Sequence, residues 1–123
     1  MWSVVLEQEF EDWLSSLSED EQDSIVAVLL VLQQQGPRLG RPYVDTLKGT
    51  SLPNLKELRI QHRGLPYRAF FAFDPTRQAI VLCAGNKRGD KRFYERMIPW
   101  AEEIYTRHLS QDSAQHSAKQ ERQ

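Results

Sequence analysis

The chain has 123 residues, an apolar share of 40%, a charged share of 27% and a formal net charge of -1. That length supports one domain with a single modest core. One cysteine, Cys83, excludes an internal disulfide and fits a reducing cytosol. The longest apolar run, Ile25 to Leu32, is eight residues, too short to cross a bilayer. No basic n-region followed by a long apolar stretch opens the chain, so no signal peptide is expected and the location expected is cytoplasmic.

The near-zero net charge conceals an asymmetry. Residues 1–35 carry eight Asp and Glu and no Lys or Arg, whereas residues 36–100 carry 13 Lys and Arg against five acids. Polyanion binding on one side explains this split, and so do charges covering two solvated faces.

Trp2 to Leu6 reads as a first strand. Phe10, Trp13, Leu14 and Leu17 recur at i, i+3, i+4 and i+7, one face of a helix. Ser18 with Glu21 is a capping-box pattern opening a second helix. That helix turns Ile25, Val28, Leu29 and Leu32 inward and stops at Gly36-Pro37. The short link predicts an antiparallel helical hairpin packed on a sheet. Residues 38–53 read as loop, broken by Gly40, Pro42, Gly49 and Pro53. Three strands come next, at about Lys56–Gln61, Tyr67–Phe73 and Ala79–Ala84, and their short links predict an antiparallel meander. Asp90 is placed to cap a last helix bearing Tyr94, Met97, Ile98, Ala101, Ile104 and Tyr105, with Pro99 expected to kink it or begin a second piece. Residues 110–123 hold no aliphatic side chain beyond alanine and are expected to be a disordered tail after a single domain of residues 1–109.

The basic residues on or beside these strands are the chemical signal. Burying an unpaired charge costs far more than one side chain's packing returns. Guanidinium groups on stiff strands do suit holding phosphate in a fixed geometry. Arg59 alternates with Leu58 and Ile60, so it faces away from them, and a solvated ion pair with Glu57 or Asp74 is the plainer reading. Arg68 leads a strand otherwise made of Tyr, Ala and Phe. It must lie at a strand end, in a concave site or in a buried ion pair. Lys87 and Arg88 come after the third meander strand between Gly85 and Gly89, a common place for site residues. Tyr94 reads first as core, and otherwise as a phenol that stacks on a base or exchanges a proton once nearby cations lower its pKa. His62 reads as exposed, and Cys83 as a small hydrophobe in a strand rather than a nucleophile. There is no zinc-type Cys/His spacing, no phosphate-binding GxxxxGK[ST] loop and no acid cluster in the basic region for a two-metal site, so no metal site is expected.

Four stretches carry a likeness to a known family. They are Leu47-Lys48-Gly49 with Asn54-Leu55-Lys56-Glu57-Leu58-Arg59; Pro66 through Pro75; Gly85 through Lys91; and Tyr94-Glu95-Arg96 through Pro99 to His108-Leu109. Together they resemble the HigB-like group of the RelE/ParE toxins over residues 1 to about 109. The resemblance implies an α+β fold, with an N-terminal strand and helical hairpin on a small, mostly antiparallel sheet and a C-terminal helix. It implies a type II toxin that cleaves mRNA on the ribosome without metal or cofactor, by attack of the ribose 2′-OH on the adjacent phosphate. By motif position, Arg59, Arg68, Lys87, Arg88 and Tyr94 resemble the family's catalytic set, and Lys48, Lys56 and Lys91 its RNA-backbone contacts. Glu57 stands where the most basic members carry a further cation. The partners implied are mRNA, the ribosome and a cognate antitoxin, expected to be of helix-turn-helix type and to lie over the basic site. No membrane or small-molecule partner is implied. Two rival readings are a ParE-like inhibitor of DNA gyrase on the same scaffold and a non-catalytic RNA-binding module.

Overall fold

Ser18 opens the molecule's main N-terminal helix as its sequence predicts. Its hydroxyl accepts the Glu21 N–H at 3.2 Å while the Glu21 carboxylate accepts the Ser18 N–H at 3.1 Å, so two otherwise orphaned donors are satisfied reciprocally. The computed structural model describes residues 2–121, with side chains described for residues 2–111. The elements are β1 (Ser3–Leu6), α1 (Gln8–Ser15), α2 (Glu19–Gln35), β2 (Val44–Thr46), β3 (Leu55–His62), β4 (Leu65–Asp74), β5 (Gln78–Asn86) and α3 (Phe93–Glu121).

The sheet order is β1-β5-β4-β3-β2. The meander β3-β4-β5 is antiparallel as expected, and β1 returns parallel along β5. The short strand β2 pairs antiparallel with β3. It falls inside the stretch expected to be loop, because three residues among Gly and Pro carry too little alternation to read as strand. Helices α1 and α2 cover one face over Leu58, Ile60, Ala69, Phe71 and Val81. Helix α3 covers the other through Phe93, Met97, Ile98, Ala101, Ile104 and Tyr105, packed on Leu55, Phe70, Ile80, Leu82 and Cys83. It runs as one helix through Pro99, with no break into two pieces. Its last turns include much of the stretch expected to form a tail, and side chains from residue 112 onward lie outside the described residues.

A bulge in β5 resets the alternation of that strand. Phe70 pairs with Cys83 but Phe71 pairs with Val81, leaving Leu82 as the extra residue. Strict alternation would put Leu82 and Cys83 on opposite faces. Both instead pack on the α3 side, and beyond the bulge Gly85 falls opposite Arg68.

Gly36 ends α2 with φ at +56°, and a Cβ there would come within 2.4 Å of the Trp2 ring. Gly36→Ala is therefore expected to cost roughly 2–4 kcal/mol, from a left-handed backbone plus a clash, read as a lowered urea midpoint. On the same side of the sheet, the Tyr67 hydroxyl donates to the Glu21 carboxylate, tying the start of α2 to β4. Burial, then the Glu21 hydrogen bond, pushes the Tyr67 pKa from 10.0 up to about 12. A raised folded pKa gives stability that is complete below pH 10 and lost as pH climbs towards 12. Tyr67→Phe should flatten that alkaline loss in denaturation midpoints measured from pH 9 to 12.

Candidate functional site

On the α3 face of the sheet, which also buries Asp74 beside His108 at the far end of β4, an open cleft of about 480 Å³ at the β2–β3 end is lined by Arg41, Asp45, Thr46, Leu47, Lys48, Glu57, Arg59 and Tyr94. Strand alternation builds it. Glu57 and Arg59 share the face of Leu55, and Arg59 lies beside Arg68 on β4, with Gly85 next across on β5. A glycine at that register position puts no side chain over Arg68; the ring of Phe93 lies against Gly85 instead.

Arg68 is 7% exposed. One of its terminal nitrogens donates to the Tyr67 carbonyl at 3.0 Å, and its buried Nε has no hydrogen-bond partner. Among the described residues no carboxylate forms an ion pair with it. Of the placements open to it in sequence, the buried ion pair is thus excluded. A buried guanidinium with an unused N–H is costly unless an anion completes it.

Arg59 behaves differently. Its Nε donates to Glu57 Oε1 at 3.1 Å and its Nη2 to Asp45 Oδ2 at 3.0 Å. The Glu57 hydrogen bond, ahead of the opposing desolvation, raises its pKa. Desolvation works upward on Asp45, but the Thr46 N–H and the guanidinium groups of Arg41 and Arg59 outweigh it and hold the carboxyl low. The Glu57 pairing expected for Arg59 is present, and Asp45 takes the place suggested for Asp74. Asp45 and Arg41 escape a reading of the sequence because they belong to the unrecognised β2 and the segment leading into it.

Tyr94, on the first turn of α3, donates its hydroxyl to Glu57 Oε2 at 2.7 Å and stands edge-on to Phe70. Lys87 Nζ lies 5.4 Å from the centre of its ring. Burial first, then the Glu57 hydrogen bond, raises the Tyr94 pKa, while hydrogen bonding and charge from Arg68 pull the other way and lose. The expectation that cations lower it is therefore corrected: Glu57, bonded directly to the phenol, outweighs them.

The remaining candidates scatter around this centre. Lys48 is exposed and lines the cleft. Its loop is clipped to α3 by Glu102, which accepts from Thr50 Oγ1 at 2.8 Å and from Ser51 N at 2.9 Å. Arg88 and Lys91 are exposed beyond the end of β5. Lys56 pairs with Phe71, so it points to the α1–α2 face, away from Arg59, and is not brought to the cleft. His62 Nδ1 lies 2.7 Å from Ser24 Oγ, engaged on the α2 side. Burial pushes the Cys83 thiol up to about 12, an inert state. No group of three or more His, Cys, Asp and Glu among the described residues is arranged to hold a metal ion, and no helix among them is long and apolar enough to cross a membrane.

The chain matches the family described as phage-derived protein Gp49-like over residues 12–106. It is 41% identical to the toxin-named HigB2 of Mycobacterium tuberculosis over 112 residues, covering 89% of this chain and 55% of HigB2. It is 41% identical to HigB3 of the same organism, also named as a toxin, over 102 residues covering 82% and 88% of the two chains. The chain thus spans about half the length of HigB2 and most of HigB3. Isolated Escherichia coli RelE has the same fold, at a TM-score of 0.57 and 14% identity over 79% of this chain and 96% of RelE. RelE in the archaeal RelE–RelB complex of Pyrococcus horikoshii aligns at a TM-score of 0.52 and 16% identity, over 72% and 97%.

Proposed function

We propose that this chain, which belongs to the Gp49-like family and with it to the HigB-like toxins of the RelE superfamily, stops translation by cleaving mRNA on the ribosome. The observation that carries this reading is Arg68, a buried guanidinium with an unused N–H and no carboxylate ion pair among the described residues. A phosphodiester supplies the anion it lacks, held in a planar, charge-assisted geometry. In the proposed reaction the ribose 2′-OH attacks that phosphate, and the charge growing on its oxygens falls to Arg68 and Lys87. Tyr94, with Lys87 over its ring, offers a hydroxyl to the reacting sugar or a ring to stack on its base. Lys48 in the cleft lining, with the exposed Arg88 and Lys91, holds the flanking backbone. Lys56 has no part in this cleft.

The domain that does this is residues 1–109, acting in the cytoplasm and needing neither metal nor small-molecule cofactor. Its protein partner is a cognate antitoxin of helix-turn-helix type. An acidic or helical antitoxin segment lying over the cleft would quench both its charge and its access. The P. horikoshii RelE neighbour is held in a complex with its own partner, RelB.

The test is mRNA cleavage in a reconstituted translation system with EDTA-treated protein, ends mapped by primer extension. Cuts within codons that are absent with Arg68→Ala support the reading. Intact RNA and unaffected translation would overturn it in favour of gyrase inhibition, assayed by supercoiling, or of plain RNA binding, assayed by gel shift. Because the ribosome needs magnesium, metal independence is read separately, from single-turnover cleavage of a short RNA in excess EDTA.

A further inference from the structure

Glu57 is a buried carboxylate without a task in 2′-OH attack as proposed for Arg68, Lys87 and Tyr94. It is 3% exposed, and its two oxygens point to different partners. Oε1 accepts from Arg59 at 3.1 Å, whereas Oε2 accepts the Tyr94 hydroxyl at 2.7 Å. A carboxylate present only to neutralise Arg59 gains most by setting both oxygens against the guanidinium fork. Here Asp45 makes the second contact to Arg59, at 3.0 Å, and Glu57 Oε2 is given to the phenol. The phenolic oxygen is therefore bonded to a buried acid, and the nearby Arg68 guanidinium favours loss of its proton. Held protonated by its surroundings, Tyr94 can accept a proton only while releasing its own.

Resting on the nuclease reading, we propose that Glu57 is the final proton acceptor of a two-member relay in which Tyr94 is the intermediary. As the 2′-O–H bond breaks, its proton moves to Tyr94 Oη and the phenolic proton moves to Glu57 Oε2. The O2′–P bond forms, the P–O5′ bond breaks, and the electron pair left on O5′ takes a proton from water. The products are a 2′,3′-cyclic phosphate and a 5′-hydroxyl, and Glu57 then returns its proton to solvent. Arg59 has a purpose in this scheme, because its charge lets a carboxylate sit close to a phosphate without repelling it. Glu57 acts through Tyr94 and is a positioning residue rather than one that touches RNA. The acid at this place, which in sequence departs from an otherwise cationic site, becomes the proton sink that site needs.

The experiment is single-turnover cleavage by Glu57→Gln, which keeps the side chain's shape and one acceptor oxygen but cannot take a proton. The expected result is a rate loss of about 10²–10⁴ with affinity for a non-cleavable 2′-deoxy-substituted RNA unchanged within about threefold. The acid limb of the wild-type pH–rate profile should vanish, and Glu57→Asp should restore part of the rate. Tyr94→Phe should remove the same limb and add little to Glu57→Gln, since members of one unit are non-additive. If Glu57→Gln does not fold, Tyr94→Phe still decides: a pH profile unchanged from wild type overturns the relay. A Glu57→Gln protein that cuts at the wild-type rate, or whose loss is all in RNA affinity, overturns it too while leaving the nuclease reading intact. A wild-type protein that cuts no RNA overturns both.

Discussion

Arg68→Met is expected to abolish toxicity while leaving the fold as stable as before, or more so. The two effects have opposite signs because they come from one feature. Arg68 is buried with an unused N–H and no ion-pair partner among the described residues. Replacing a buried charge that lacks an ion-pair partner among the described residues with an apolar side chain of similar length removes a desolvation penalty. Unfolding free energy should therefore stay within about 1 kcal/mol of wild type or rise by roughly 1–4 kcal/mol. Cleavage should fall by about 10²–10³, the usual cost of losing one donor aimed at developing charge. Urea denaturation and translation-coupled cleavage on the same preparation check both. A variant that loses stability and activity together would show that Arg68 holds the sheet rather than the phosphate.

Phe70→Ala carries the largest expected loss of stability. Phe70 is fully buried on the α3 face, with Phe93 at 5.9 Å and Tyr94 at 6.2 Å between ring centres. Removing a fully buried phenylalanine costs about 3–5 kcal/mol, roughly a fifth or more of what holds a typical small domain together. Its neighbour Phe71 is equally buried but faces α1 and α2. Phe71→Ala should cost a similar amount in urea. The two should part in the cleavage assay at a temperature where both remain folded. Phe70→Ala takes away the ring against which Tyr94 stands and should slow cleavage by tenfold or more, since small misplacements of a site group are costly. Phe71→Ala should cleave close to the wild-type rate. Equal rates would mean that Tyr94 is positioned by Glu57 alone.

Ser18 to Leu32 shows how far the sequence reaches by itself. The cap, the apolar stripe and the Gly36-Pro37 stop are local, so a linear pattern specifies α2 from end to end. The meander is equally legible, because each strand alternates or runs apolar between turn residues. Arg68, Lys87 and Tyr94 stand out for the same reason: a charge in an apolar strand, a cation after a strand end and a phenol on a helix are visible without coordinates. What three residues of β2 do, by contrast, depends on β3 lying beside them. Only that pairing brings Asp45 to Arg59. The face taken by Gly85 depends on a bulge one turn of the pleat away, which no count of residues along β5 reveals. Lys56 and Arg59 read as one basic strand but are divided by the sheet, since neighbours of unlike parity face opposite ways. Glu57 shows the difference most clearly. In sequence it is an acid among bases. Its meaning is decided by tertiary structure, where α3 lowers Tyr94 onto one of its oxygens and β2 relieves the other of holding Arg59 alone. A side chain's type is written in the chain, but the partners that fix its chemistry are supplied by elements far away along it.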